Sequence, residues 1–179
     1  MPFDERLAAL IQKGIFPMKA SLLIASVLLA FTCTSVLGAP EKLSPADQAA
    51  AFKAAGFKLK GKRWQACDDP SLSSMPGTIE DVRDLNGDGL PEAIITEGGT
   101  LCYGNTGAGY SLVSKQANGG WKLITGGTGM LNILNTKGTG NWPDLEIGGP
   151  GFCFPVERWN GREYALQRHQ YEGKPCRRK

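Results

Sequence analysis

Histidine is almost missing from this chain of 179 residues: His169 is the only one. A Ser-His-Asp arrangement needs an imidazole beside its nucleophile, and one histidine near the C-terminus gives that chemistry little support. No G-x-S-x-G, H-E-x-x-H or C-x-x-C occurs, so the common local signatures of a serine hydrolase, a zinc protease or a Cys/His zinc site are lacking. Charge of one sign is also lacking. Lys plus Arg is 20 and Asp plus Glu is 17, a net +3, too slight to argue for nucleic acid or an anionic membrane. The longest apolar run, Leu22 to Phe31, is too short to cross a bilayer comfortably. With 41% hydrophobic and 21% charged residues, the composition excludes a disordered chain.

Glycine, in contrast, is abundant at 24 residues, about twice the usual share, and points to many tight turns. The apolar run follows Met18-Lys19 and leads to Ser35, Val36, Leu37, Gly38 and Ala39. A positive start, a short apolar core and a small-residue end make a secretory signal peptide, so residues 1–39 are expected to be removed. Asp4 and Glu5 are unusual ahead of a signal, which makes Met18 the expected start of translation. Cys33 follows Phe31-Thr32, a poor lipid-attachment context, and is read as part of the signal. What remains is one domain, long enough to bury about two thirds of its unfolded surface. Residues 40–77 form its N-terminal part and 78–179 a β region. No membrane span is expected after cleavage.

That remainder keeps Cys67, Cys102, Cys153 and Cys176. An even number in an exported protein reads as two disulfides, with three connectivities open. The repeat described next favours Cys67–Cys102 and Cys153–Cys176.

Ser44-Pro45-Ala46-Asp47 opens a helix, with Ser as N-cap and Pro at the first helical position. Alanines and Phe52 carry it, and Gly56 ends it. Phe57 to Lys60 alternates like a strand, and Asp69 to Gly77 is turn-rich. From Thr78 the chain repeats itself. Pro91 aligns with Pro143, Glu92 with Asp144, Cys102 with Cys153, and Asn118-Gly119 with Asn160-Gly161. Each unit reads as four short strands. The first unit has 79–83, 93–97, 110–115 and 121–125; the second has 130–135, 145–147, 152–158 and 164–168. Both Asn-Gly pairs predict tight hairpins, Asn160-Gly161 a type I′ turn. The fold expected is mainly β: two four-stranded antiparallel meanders with one short N-terminal helix, packed as a pair of sheets.

Asp84-Leu85-Asn86-Gly87-Asp88-Gly89-Leu90-Pro91-Glu92 carries the most chemistry. Oxygen side chains stand at positions 1, 3, 5 and 9, and a glycine stands at 6. A hard cation such as calcium takes six to eight oxygens, and a tight loop can aim alternate side chains at one point. Asp84, Asn86 and Asp88 would bind through side chains, Leu90 through its carbonyl, and Glu92 would close the site. The other reading is an Asn-Gly/Asp-Gly turn held by side-chain-to-backbone hydrogen bonds. The loop is no EF-hand, because Ile95 stands at position 12, where that motif needs a bidentate Glu.

From Val82 to Thr96 the chain resembles the calcium loops of FG-GAP and VCBS repeats, known from integrin-type β-propellers, where such a loop runs straight into an apolar strand. The resemblance implies a Ca2+ site at Asp84, Asn86, Asp88, Leu90 and Glu92, and blade-like meanders. Two units are too few to close a propeller. In the second unit Thr136, Gly138 and Gly140 replace Asp84, Asn86 and Asp88, leaving Asp144 opposite Glu92, so one ion site is expected.

The lead functional expectation is a periplasmic or secreted, calcium-stabilised binding protein, non-catalytic, with a protein or glycan partner outside the cytoplasm. Trp142, in a turn, and Tyr103, in the Gly-rich stretch, are the candidate partner contacts. Phe152, Phe154 and Val156 would share one core-facing strand side. An alternative is an inhibitor or immunity protein for a lysozyme-like cell-wall hydrolase, which small exported disulfide-bonded β-proteins resemble in size and chemistry. Its inserting loop would be 104–109 or the Trp142 turn. A further alternative is a carbohydrate-active enzyme using Asp68, Asp69 or Glu97 as paired carboxylates.

Overall fold

A computed structural model describes residues 42–70 and 73–177. The signal-peptide expectation lies outside them. The chain opens with helix α1, Pro45–Ala54, where the Ser44 hydroxyl accepts the Asp47 N–H at 3.1 Å and Pro45 takes the first turn. A small hairpin of β1 (Lys58–Lys60) and β2 (Arg63–Gln65) follows. Then come β3 (Met75–Arg83), β4 (Glu92–Gly98), a four-residue helix α2 (Thr100–Tyr103), β5 (Ala108–Lys115) and β6 (Trp121–Thr128). The second unit supplies β7 (Met130–Lys137), β8 (Pro143–Gly148), β9 (Phe154–Trp159), β10 (Tyr164–Tyr171) and the two-residue β11 (Lys174–Pro175).

All pairings are antiparallel. The first meander is a sheet in the order β3-β4-β5-β6 and the second a sheet in the order β11-β10-β9-β8-β7. Neither closes into a barrel. The expected mainly β architecture of two meanders behind a short helix is therefore what the chain adopts. The second sheet gains β11 as an edge strand that the sequence pattern did not mark.

Strand alternation explains the layers. In β4, Ala93 and Ile95 face one way and Ile94 the other. Ala93, Ile95, Val82 and Val113 pack against Ala51 and Phe52 of α1 and against Phe57 just after it, with Trp64 of the hairpin at the margin. Ile94 and Leu112 pack in the opposite direction, against Trp142 and Leu145 of the second unit. The central strands β4 and β5 are thus buried on both faces, while the outer strands β3 and β6 stay largely exposed or half-buried. The sheets are joined by Gly129 alone, with φ +148 and the Ile147 methyl in the space a Cβ would fill.

Four local expectations need correction. The stretch from Asp69 is loop only to Ser74, because β3 begins at Met75. Pro76 is tolerated there since β3 is an edge strand and a missing N–H breaks no ladder. The Asn160-Gly161 hairpin is not a two-residue type I′ turn. Trp159 pairs with Tyr164, and only Gly161 has positive φ (+101). Asn160 instead uses its side chain as acceptor for the Arg162 and Glu163 N–H groups at 2.9 and 3.0 Å. Asn118 does the same for Gly120 at 2.9 Å in a five-residue connection. Phe152 does not share a core face with Val156. Cys153 takes φ +67, the strand starts only at Phe154, and Phe152 is left 66% exposed.

Candidate functional site

The loop between β3 and β4 begins where Asp84 follows Arg83 and ends where Glu92 enters the buried strand. Gly87 and Gly89 take φ of +83 and +84, which lets the chain double back within so few residues. Asp84 holds the turn from outside: its Oδ1 accepts the Gly87 N–H at 2.7 Å and its Oδ2 the Gly89 N–H at 2.9 Å. Asn86 is buried, and its Oδ1 accepts the Asp88 N–H at 2.8 Å while its Nδ2 donates to Asp88 Oδ2 at 3.1 Å. Asp88 Oδ1 accepts the Leu90 N–H at 2.8 Å. Asp84, Asn86 and Asp88 are therefore brought into one hydrogen-bonded loop.

Glu92 lies beneath that loop at 1% exposure. Its Oε2 accepts the Leu85 N–H at 2.7 Å, and its Oε1 is buried without a hydrogen-bond partner. Burial pushes its carboxyl up to about 7; the Leu85 N–H and the nearby Ser114 hydroxyl act in the opposite direction, and the Asp88 and Asp84 carboxylates add to the rise. An unpaired carboxylate oxygen at this depth costs free energy unless it is protonated or meets a cation.

The donor set suits a hard cation in kind: three carboxylates, an amide oxygen and a carbonyl. Each carboxylate oxygen has two lone-pair sites, and the N–H contacts above occupy one. The side chains, however, are directed at the loop's own backbone, and among the described residues no three His, Cys, Asp or Glu side chains gather into a metal-binding cluster. Glu92 Oε1 is the one side-chain oxygen of this set that is buried without a partner.

The second unit answers the same need differently. Asp144, aligned with Glu92, is fully buried. Arg158 Nε donates to its Oδ1 and Arg158 Nη2 to its Oδ2, both at 2.8 Å, and Thr136 Oγ1 and Arg168 Nη1 donate to Oδ2 at 2.6 and 3.1 Å. Burial works to raise the Asp144 pKa, but the hydrogen bonds from Arg158, Thr136 and Arg168 and the Arg158 charge outweigh it and hold the carboxyl down at about 2. In the first unit, the residue facing Glu92 across β4 and β5 is Ser114, which carries no charge. Sequence alignment marked Asp144 as the lone survivor of an ion loop. The arginine that serves it comes from a different strand, and no local spacing could have shown it.

The four cysteines form Cys67–Cys102 and Cys153–Cys176, with Cα–Cα distances of 5.9 and 5.7 Å. This is the pairing the repeat favoured. Beside the first bridge, Glu97 accepts the Ala66 and Cys67 N–H groups at 2.9 and 2.8 Å and the Tyr103 hydroxyl at 2.6 Å. Glu97 is thereby the acceptor that positions the bridge, a role the sequence reading did not assign. Asp69 is buried and accepts from Ser73 Oγ and the Ser74 N–H, whereas the exposed Asp68 meets Lys60.

The two candidate partner contacts are engaged internally. Trp142 is 9% exposed and packs on Trp159 and Tyr164, with ring centroids 5.5 and 6.3 Å away. The turn folds inward because Leu145 and Ile94 offer apolar surface there, which leaves the Trp142 ring little surface for a partner. Tyr103 is half-buried, lies over Gly109, and spends its hydroxyl on Glu97; burial and that carboxylate raise its pKa. Comparison with known protein families, with curated proteins and with solved structures finds no match.

Proposed function

We propose that the protein is an exported, disulfide-bonded, non-catalytic binding protein whose 84–92 loop takes one calcium ion. The observation that carries the reading is the buried Glu92 carboxylate with Oε1 unpartnered, directly under a loop bearing Asp84 and Asp88. Asp84, Asn86 and Asp88 would hold the ion by side-chain oxygens, Leu90 by its carbonyl, and Glu92 from below. The ion would cancel the mutual repulsion of three carboxylates and fix the entry to β4. Its role would be structural.

Two disulfides support a compartment more oxidising than the cytoplasm. No helix among the described residues is long and apolar enough to cross a membrane. The carboxylates considered for catalysis are used by their own neighbours: Glu97 by three donors, Asp69 by Ser73 and Ser74, Asp68 by Lys60. The test is a thermal melt in calcium and in chelator. A rise of the midpoint by about 4 °C or more in saturating calcium is expected, since a bound ion stabilises by mass action. An identical midpoint in both would overturn the reading.

A further inference from the structure

A cavity of about 640 Å3 opens between α1, the β1–β2 hairpin and the outer strand β3, within the roughly 300–1,000 Å3 typical of small-molecule sites. Its charge is uneven. Lys42, Lys62 and Arg63 line it, and among the described residues neither lysine has an ion-pair partner. Arg63 is anchored by its Nη2, which donates to the Ser74 carbonyl, and its Nε is buried, so this guanidinium contributes charge to the wall.

Of the two acids on the same wall, Asp81 is compensated by Arg83 at 2.8 Å, and Glu80 accepts from the Thr78 and Thr96 hydroxyls and keeps its charge. The three cations outnumber that one uncompensated carboxylate, so the balance stays cationic. Beside these charges the aromatic pair Phe52 and Trp64 lines the cavity, held in place by mutual stacking with centroids 5.0 Å apart and planes 7° from parallel. Gln48 and Thr78 add neutral polar groups.

A ligand matching this wall has a ring with one apolar face, several hydroxyls and an anionic group beside them. We propose that the cavity is a binding site for an acidic sugar, its ring against Trp64 and its carboxylate met by Lys42 and Lys62. This deepens the binding reading above and is independent of the calcium loop. Cations that meet a carboxylate in a partly enclosed site form charge-assisted hydrogen bonds, stronger than those a neutral sugar receives.

The test is calorimetric titration of the full mature chain with N-acetylmuramic acid and with N-acetylglucosamine, which lacks the carboxylate. Saturable one-to-one binding of the acid is expected, about tenfold or more tighter than the neutral sugar. Lys42→Gln and Lys62→Gln change exposed residues outside the core, so they should weaken the acid about tenfold together while leaving the melting midpoint and the neutral sugar unchanged. Equal affinity for the two sugars, no saturable binding of the acid, or an affinity untouched by the lysine changes would each overturn the proposal. Titrations run in calcium and in chelator keep the two readings apart: a calcium-independent midpoint removes the ion and leaves the sugar result standing.

Discussion

Asp144 and Arg158 meet in a bidentate pair, both contacts 2.8 Å, with the carboxylate fully buried and the guanidinium reaching it from the neighbouring strand. This pair stands in the second unit where the first has Glu92 facing Ser114. The two units thus place a carboxylate at the mouth of a buried strand, met by an arginine of the neighbouring strand in one and, among the described residues, by no side-chain cation in the other.

Removing one partner of the pair is expected to be costly. Arg158→Met leaves Asp144 in the core with only Arg168 and Thr136 as donors, and a loss of about 3 kcal/mol is expected in urea unfolding. The double change Asp144→Leu, Arg158→Met removes both charges and should recover most of it. Equal losses for the single and double variants would show that packing, not charge, sets the cost.

Acid should act through the same carboxylate. Asp144 is held at about 2 in the fold against an ordinary value of 3.8. A lowered pKa stabilises the fold fully above the unfolded value, and that stability is lost as pH falls through the folded one. A decline of about 2 kcal/mol is expected between pH 4 and pH 2 from this residue. The Asp144→Asn variant, compared with the parent across that window by chemical denaturation, should show a correspondingly flatter profile.

Glu92 titrates with the opposite sign. Its pKa is raised to about 7, so the fold binds the proton more tightly than the unfolded chain, and stability falls as pH rises from about 4.5 towards 7. Calcium would displace that proton, so apparent calcium affinity should weaken progressively below about pH 7. Glu92→Gln keeps an acceptor for the Leu85 N–H without the buried charge. It should match or exceed the parent's stability in chelator at pH 8, and lose the calcium response in the melt.

How much of this was legible in the chain follows from range. The Ser44 cap, the Gly56 stop and the strand alternation are encoded within a few neighbouring residues, and the helix and the two meanders follow the pattern. The loop at 84–92 was equally local, as were both readings of it. The arginine on Asp144, the three donors on Glu97 and the burial of Trp142 depend on which strands become neighbours, and periodicity carries no such information. The Asn160-Gly161 turn differed for a further reason: the Asn160 side chain accepts two N–H groups and so removes the need for its own backbone to go left-handed.

Opening the Cys67–Cys102 bridge tests the role given to Glu97. The Cys67→Ala, Cys102→Ala variant releases a closure of 35 residues, and a loss of about 3 kcal/mol is expected in chemical unfolding. Glu97→Gln should cost about 1–3 kcal/mol with the bridge intact, since a weaker acceptor faces three donors. If Glu97→Gln is silent, the carboxylate does not support the bridge.

Gly129 has a mechanical consequence. The two peptide units from Thr128 through Gly129 to Met130 can span only about 7 Å between their end Cα atoms, so the join between β6 and β7 holds little reserve of length. Sliding one layer over the other by a single row of side chains would stretch the backbone itself. The alignment of the layers is tethered covalently, and the apolar residues between them are free to vary in shape without letting the layers drift.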